Sequence, residues 1–240
     1  MSWRNKVDAW SDRLGRLLLP PRCLLCDSAG ADGRDLCAAC AADLSGNTPC
    51  CPRCALPLAA AAPACGECLR REPPFAAAWV PFRYGHPLDL LERRFKFGRD
   101  LAAGRVLGQL LVTAAGSAPP PRPAAVLVVP LHRARLRERG YNQALELLRP
   151  LARALDLPLL RDGLVRTRGT AAQTGLDAAA RRRNLRGAFA VPAGTRLPAH
   201  VALFDDVMTT GSTLREAARA LRRAGVARVD AWALARAPRR

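Results

Sequence analysis

The chain has little lysine, few aromatics and no long apolar run. Among its 240 residues only Lys6 and Lys96 are lysines, aromatics make up 5%, and methionine occurs twice. No stretch approaches the ~18 consecutive apolar residues that a membrane-spanning helix needs. The opening segment, MSWRNKVDAWSDRLGRLLLPP, spreads its charges throughout and confines its apolar run to Leu17–Leu19, unlike a secretory signal. A cytoplasmic setting without a membrane span is the expectation. Sparse aromatics remove the usual stacking platforms for single-stranded nucleic acid. Tyr141, beside a basic stretch, is the one candidate. No cysteine follows position 68, so no disulfide framework knits the larger part of the chain.

Acidic residues are also in deficit, and unevenly. The chain carries 38 basic and 20 acidic residues, a formal +18. Residues 1–75 hold 9 basic and 8 acidic side chains, so residues 76–240 hold 29 and 12, about +17. A field of that sign favours polyanions or phosphorylated small molecules. The same arginine and alanine richness also reads as biased coding, so charge alone does not decide for nucleic acid. Trp3, Val7, Trp10, Leu14 and Leu17–Leu18 recur at helical spacing, which predicts an amphipathic helix over 1–20.

What is abundant is paired cysteine. Cys23/Cys26, Cys37/Cys40, Cys51/Cys54 and Cys65/Cys68 form four C-x-x-C pairs, and the second quartet repeats the first 28 positions on. Two residues between cysteines present both thiolates to one metal, and four thiolates close a tetrahedral zinc site. A disulfide framework is the competing explanation, disfavoured by the missing secretory segment. The reading is two structural Zn2+ ions in a small double zinc-ribbon domain over 21–72, one per repeat, although spacing alone also permits interleaved pairs. Cys50 is out of register and reads as a bystander.

Residues 73–240 form the larger domain. A strand is predicted over Phe75–Tyr84, helices over Pro87–Phe97, Leu101–Ala115, Asn142–Leu155 and Ser212–Ala224. Further strands are predicted at Ala125–Val129, Leu157–Leu160, Val201–Phe204 and Ala227–Ala233. Short apolar strands alternating with helices indicate an α/β domain, a parallel sheet with helices on both faces. Ligands of such sheets sit beyond the carboxyl ends of the strands.

The strand Val201–Phe204 runs into Asp205 and Asp206, then Val207 and Met208, then Thr209, Thr210, Gly211, Ser212 and Thr213, and then a helix. Two carboxylates at a strand end accept hydrogen bonds from vicinal ribose hydroxyls and favour a cation forming at the anomeric carbon. The Thr/Gly/Ser run at a helix N-terminus suits a phosphate. A simpler account makes Asp205-Asp206 a turn and Thr213 a cap with Glu216 completing a capping box, but it leaves the two acids unexplained. Arg133, Arg135, Arg137 and Arg139 suit a pyrophosphate clamp. His86 and His200 read as ordinary surface or packing residues, and the Arg236–Arg240 tail as disordered.

Val201–Thr213 resembles the 5-phosphoribosyl 1-pyrophosphate (PRPP) motif of type I phosphoribosyltransferases at every position. Val129-Pro-Leu-His132, Arg137-Glu-Arg-Gly-Tyr-Asn-Gln-Ala144, Gln173-Thr-Gly-Leu176, Arg181-Arg-Arg-Asn184 and Gly187-Ala-Phe189 resemble the ComF family, which also carries an N-terminal cysteine-pair domain. The resemblance implies a type I phosphoribosyltransferase fold, with Asp205 and Asp206 at the ribose hydroxyls. It puts Thr209–Thr213 around the 5′-phosphate and Pro130, Leu131 and His132 near pyrophosphate and Mg2+. Residues 133–142, with Arg137, Arg139, Tyr141 and Asn142, and residues 166–184 would be mobile basic loops over the site.

No base, amine source or nucleophile for an acceptor is evident over 75–116. Two functions of different class follow: Mg2+-dependent phosphoribosyl transfer to an unknown acceptor, or non-catalytic handling of single-stranded DNA with the DNA-uptake machinery of natural transformation. A PRPP-sensing regulator is the third.

Overall fold

The computed structural model describes residues 20–167 and 185–238. The expected helix over 1–20, except Pro20, and the segments Gln173–Leu176 and Arg181–Asn184 lie outside them.

The core of the larger domain is a parallel sheet. Its strands are β1 (Ala78–Trp79), β2 (Phe82–Arg83), β3 (Ala125–Val128), β4 (Leu159–Leu160), β7 (His200–Met208) and β8 (Arg228–Arg236). They run in the order β1-β8-β7-β3-β4, with β2 also on β8. A separate antiparallel pair joins β5 (Val165–Arg166) to β6 (Phe189–Ala190). β3 is wholly buried, as are Val201–Phe204 of β7, which is why they read as continuous apolar runs.

Alternate residues feed two hydrophobic layers. Leu127, Val201, Leu203, Val229 and Ala231 meet one; Val126, Ala202, Phe204 and Trp232 meet the other. Helix α7 (Ser212–Arg223) covers the first layer. Helices α3 (Leu88–Phe97), α4 (Leu101–Ser117) and α6 (Gln143–Ala154) cover the second. α3 folds back on α4 because Gly104 leaves room for the Phe95 ring; a Cβ there would meet it at 2.5 Å.

The two cysteine repeats straddle the sheet. Cys23 and Cys37 belong to the layer under α3 and α4, whereas Cys51, Cys54, Cys65 and Cys68 belong to the layer under α7. Each repeat has one short helix, α1 (Ala38–Ala42) and α2 (Gly66–Arg70), beginning directly after its third cysteine.

The expected strand over Phe75–Tyr84 is interrupted. β1 and β2 keep the same register on β8, but Val80 and Pro81 leave the ladder between them. Their carbonyls are taken by the buried Asn47, whose Nδ2 donates to Val80 at 3.1 Å and whose main-chain N–H donates to Pro81 at 2.8 Å. Pro81 itself has no N–H to offer a sheet.

Candidate functional site

β7 outruns its neighbour. Its Phe204 pairs with Val128 at the end of β3, but the strand continues to Met208 with only β8 beside it. The expected end at Phe204 is therefore four residues short, because apolarity marks the strand's buried part and not its hydrogen bonding. After β3, Pro130 turns the chain away. Successive crossovers from β3 to β4 and from β7 to β8 run in opposite directions across the sheet, so a crevice opens between them. It holds about 550 Å³ and is lined by Lys96, Val129, Pro130, Leu131, Asp205, Asp206, Thr209, Gly211 and Thr213, among others.

Along this stretch of β7 the two aspartates themselves accept main-chain N–H groups. Asp206 N–H donates to Asp205 Oδ1 at 3.0 Å, and Val207 N–H to Asp206 Oδ1 at 2.6 Å. Lys96 Nζ, at the end of α3, lies 2.9 Å from Asp206 Oδ2 and also pairs with the buried Glu92 one turn earlier. Burial, and then the neighbouring Asp206 charge, push Asp205 up to about 8. For Asp206 the burial penalty is outweighed by Lys96, and its carboxyl is held below the usual range. The Lys96 ammonium is opposed by burial but held charged by Asp206 and Glu92. Two adjacent carboxyls pushed in opposite directions beside a buried ammonium make this crevice a candidate functional site.

Beyond β7 the chain makes the loop Thr209–Thr213. Gly211 is its pivot, with φ +72, and a Cβ there would meet Met208 Cε at 2.7 Å. It is also the N-cap of α7, and it supplies no side-chain acceptor. Ser212 N–H, the first of α7, donates to Thr210 Oγ1 at 3.3 Å, and the N–H groups that follow it in the first turn suit a ligand. Thr210 and Ser212 bond to each other at 2.7 Å, while Thr209, Gly211 and Thr213 line the crevice. Thr213 is not the cap, and no capping box forms: Glu216 instead accepts from Gly187 N–H at 2.9 Å and pairs with Arg219.

Residues 133–139, expected as a loop, form helix α5 (Arg133–Arg139). His132 caps it, its Nδ1 accepting from Ala134 N–H at 3.3 Å. Helical geometry sorts the four arginines: Arg135 and Arg139, four apart, line the crevice, whereas Arg133 and Arg137 are exposed outside it. Asn142 caps α6 and donates to the Val129 carbonyl at 3.1 Å, tying the helix to the end of β3. Tyr141 does not stand free: its ring packs on Phe95 at 5.3 Å and its hydroxyl donates to the Phe95 carbonyl. The aromatic at the mouth is Phe97, 70% exposed, with Arg139 5.8 Å over its ring. Lys96 had one faint pointer in the sequence, the rarity of lysine in an arginine-rich chain, and Phe97 had none.

The eight paired cysteines gather as two quartets, Cys23/Cys26/Cys37/Cys40 and Cys51/Cys54/Cys65/Cys68, in each of which all four sulfurs lie within 4.8 Å of one another. Each repeat owns one site and pairs do not interleave. Sγ–Sγ separations of 3.6 Å recur in both, close to the roughly 3.8 Å edge of a tetrahedron with about 2.3 Å Zn–S bonds. No disulfide joins them. Four sulfur donors fill a zinc ion's positions, so these sites suit structure and not catalysis. Cys50 stands outside both quartets, as expected.

His200 pairs its Nε2 with the fully buried Asp230 at 2.7 Å, at the opposite end of the sheet from the crevice. The basic tail departs from expectation at its start: Arg236 is the last residue of β8 and 1% exposed.

Comparison with known proteins agrees with this architecture. Residues 14–69 match the double zinc ribbon domain. Competence protein F of Haemophilus influenzae is 41% identical over 175 residues, 70% of this chain and 76% of the relative. DNA utilization protein YhgH of Escherichia coli O157:H7 is 36% identical over 222 residues, 89% of each chain; that of Salmonella typhi is 38% identical over 175 residues, 70% and 75%. Two cysteine quartets flanking a parallel sheet, with similarity that runs through ribbon and sheet alike, place this chain in the family of competence protein F and DNA utilization protein YhgH.

Proposed function

We propose that the crevice binds a ribose 5-phosphate unit, with the magnesium complex of PRPP as its fitting ligand, in a protein that serves DNA uptake. The observation that carries this is the Asp205–Asp206 pair at the overhanging end of β7, lining one crevice with the loop that opens α7, whose N-cap is a glycine without a side-chain acceptor. Ribose hydroxyls donate to the carboxylates, and the 5′-phosphate takes main-chain N–H groups of the Thr209–Thr213 loop together with the Thr209 and Thr213 hydroxyls. Arg135 and Arg139 line the same crevice, and their planar donors suit a pyrophosphate. In a transfer reaction the bond from C1 to the pyrophosphate oxygen breaks as an acceptor approaches, and the carboxylates favour the cationic C1 between the two. DNA uptake as the setting is supported by the names of the relatives.

Calorimetric titration with MgPRPP tests the site. Saturable binding, lost in Asp205→Asn/Asp206→Asn with the fold intact, supports it. No heat and no rise in melting temperature at millimolar ligand would remove it.

A second reading rests on Phe97, exposed at the crevice mouth with Arg139 over its ring, in a crevice that Arg135 also lines. An exposed aromatic in a basic crevice is what single-stranded nucleic acid stacks against, so the same crevice would take the ribose-phosphate of a strand without chemistry. Retention of a labelled oligonucleotide that Phe97→Ala weakens, with no release of pyrophosphate from MgPRPP, would favour that alternative.

A further inference from the structure

Arg236 is a buried arginine for which the ribose-phosphate reading has no use. Its known hydrogen bonds end on main-chain carbonyls: Nε donates to Cys54 at 3.2 Å, and Nη1 to Met208 at 2.9 Å, to Ala237 at 2.8 Å and to Thr209. Cys54 belongs to the second cysteine quartet, and Met208–Thr209 is the turn that opens the phosphate loop. One guanidinium therefore joins a metal knuckle to the loop.

A second contact reinforces the first from the other side of the loop. Arg215, in the first turn of α7, lies 3.6 Å from Glu67 and 5.7 Å over the Phe75 ring. Glu67 sits between Cys65 and Cys68. So each cysteine pair of the second quartet reaches one flank of the loop, Cys54 at the strand end and Glu67 at the helix start. Met208 and Leu214 also share an apolar cluster with all four of these cysteines. The first quartet lacks this arrangement; its repeat touches α3 and α4, through Arg94 on the Leu24 carbonyl and Arg105 near Asp35 at 4.0 Å.

We infer that the second cysteine quartet and the phosphate loop are energetically coupled, with Arg236 as the positioning residue that carries the coupling. Metal held by Cys54 fixes the direction of its carbonyl. That carbonyl orients the guanidinium, and the guanidinium holds the Met208 and Thr209 carbonyls so that the following N–H groups face the crevice. Coupling of this kind is reciprocal: phosphate in the loop must tighten metal in the second quartet as much as the metal tightens phosphate. The ligand half of the statement rests on the ribose-phosphate reading; the link between knuckle and loop does not.

The experiment uses the zinc-loaded full chain. A chelator is added with an alkylating agent, and peptides are resolved so that Cys51–Cys68 and Cys23–Cys40 report separately, with and without MgPRPP. We expect MgPRPP to slow alkylation of Cys51–Cys68 by at least about fivefold and to leave Cys23–Cys40 unchanged. Arg236→Lys, which keeps the charge but loses the planar fork, should abolish that protection while both zincs stay bound. In the same variant the amides of Thr209–Thr213 should exchange faster without ligand. A purely structural arginine would lower the melting temperature but not erase a ligand-dependent difference between the two quartets. Protection that persists in both Arg236→Lys and Arg236→Met, or loop amides that exchange as in the wild type, overturns the inference. If the wild type does not bind MgPRPP, the ribose-phosphate reading falls, and amide exchange in Arg236→Lys still decides the link.

Discussion

Asp205 and Asp206 are adjacent in sequence yet pushed in opposite directions, Asp205 up and Asp206 down. The physical reason is one lysine: Lys96 reaches Asp206 at 2.9 Å, leaving Asp205 with the burial penalty and a negative neighbour. An acid whose folded pKa rises from its ordinary 3.8 to about 8 destabilises the fold progressively as pH climbs between those values, because the unfolded chain ionises first. Asp205→Asn should therefore raise the melting temperature at pH 8, by at least about 1 kcal/mol of stability, with the gain vanishing toward pH 4, as thermal denaturation over that range would show. The same substitution should weaken MgPRPP binding.

If ribose hydroxyls need both carboxylates ionised, affinity should strengthen as pH rises toward 8 and then level off, with a proton released on binding. Calorimetry in two buffers of different ionisation enthalpy measures that proton. Gly211→Ala forces a side chain to φ +72 against Met208. It should cost about 1–2 kcal/mol of stability and at least tenfold in MgPRPP affinity, read by denaturant melts and calorimetry. The two acids and the Thr/Gly/Ser run were legible because they interrupt a buried strand. Lys96 was not, since no local pattern says that the end of α3 will meet the end of β7.

At the scale of elements, the cysteine repeat announced its own structure, because metal-ligand spacing is a local property. It did not announce that the two quartets differ. All four cysteines of the second are buried, whereas Cys26 is exposed and Cys40 half-buried in the first. A chelator should accordingly strip the first zinc well before the second, giving two separated phases in a colorimetric zinc-release assay. Helix α5 shows the converse failure. Arginines at every second position suggest an extended clamp, but the segment coils from the His132 cap to Gly140, whose left-handed φ of +84 ends it. Only Arg135 and Arg139 then reach the crevice, so Arg135→Ala and Arg139→Ala should each weaken MgPRPP binding several-fold, and Arg133→Ala and Arg137→Ala should not.

The whole molecule carries a formal +18, and no helix among the described residues is long and apolar enough to cross a membrane. A field of that sign gives any binding of single-stranded DNA a steep salt dependence. Between 50 and 200 mM salt, affinity should fall by about tenfold or more if only a few phosphates are engaged, as fluorescence anisotropy with a labelled oligonucleotide would report. A flat salt response would mean that the charge is distributed without reference to a polyanion.

By itself the sequence determined the quantities that depend on near neighbours: the metal knuckles, the alternation of apolar strands and helices, and the acids and small residues at the end of β7. Those follow from spacing, turn chemistry and burial within a few residues. Only the tertiary structure decided which distant groups complete the site, because those meetings depend on strand order and on how far one strand overhangs the next. Strict alternation from Trp232 and Leu234 would send Arg236 away from the second ribbon. The end of the sheet departs from that alternation, and Arg236 at the end of β8 bonds the carbonyls of Cys54, Met208 and Thr209 together.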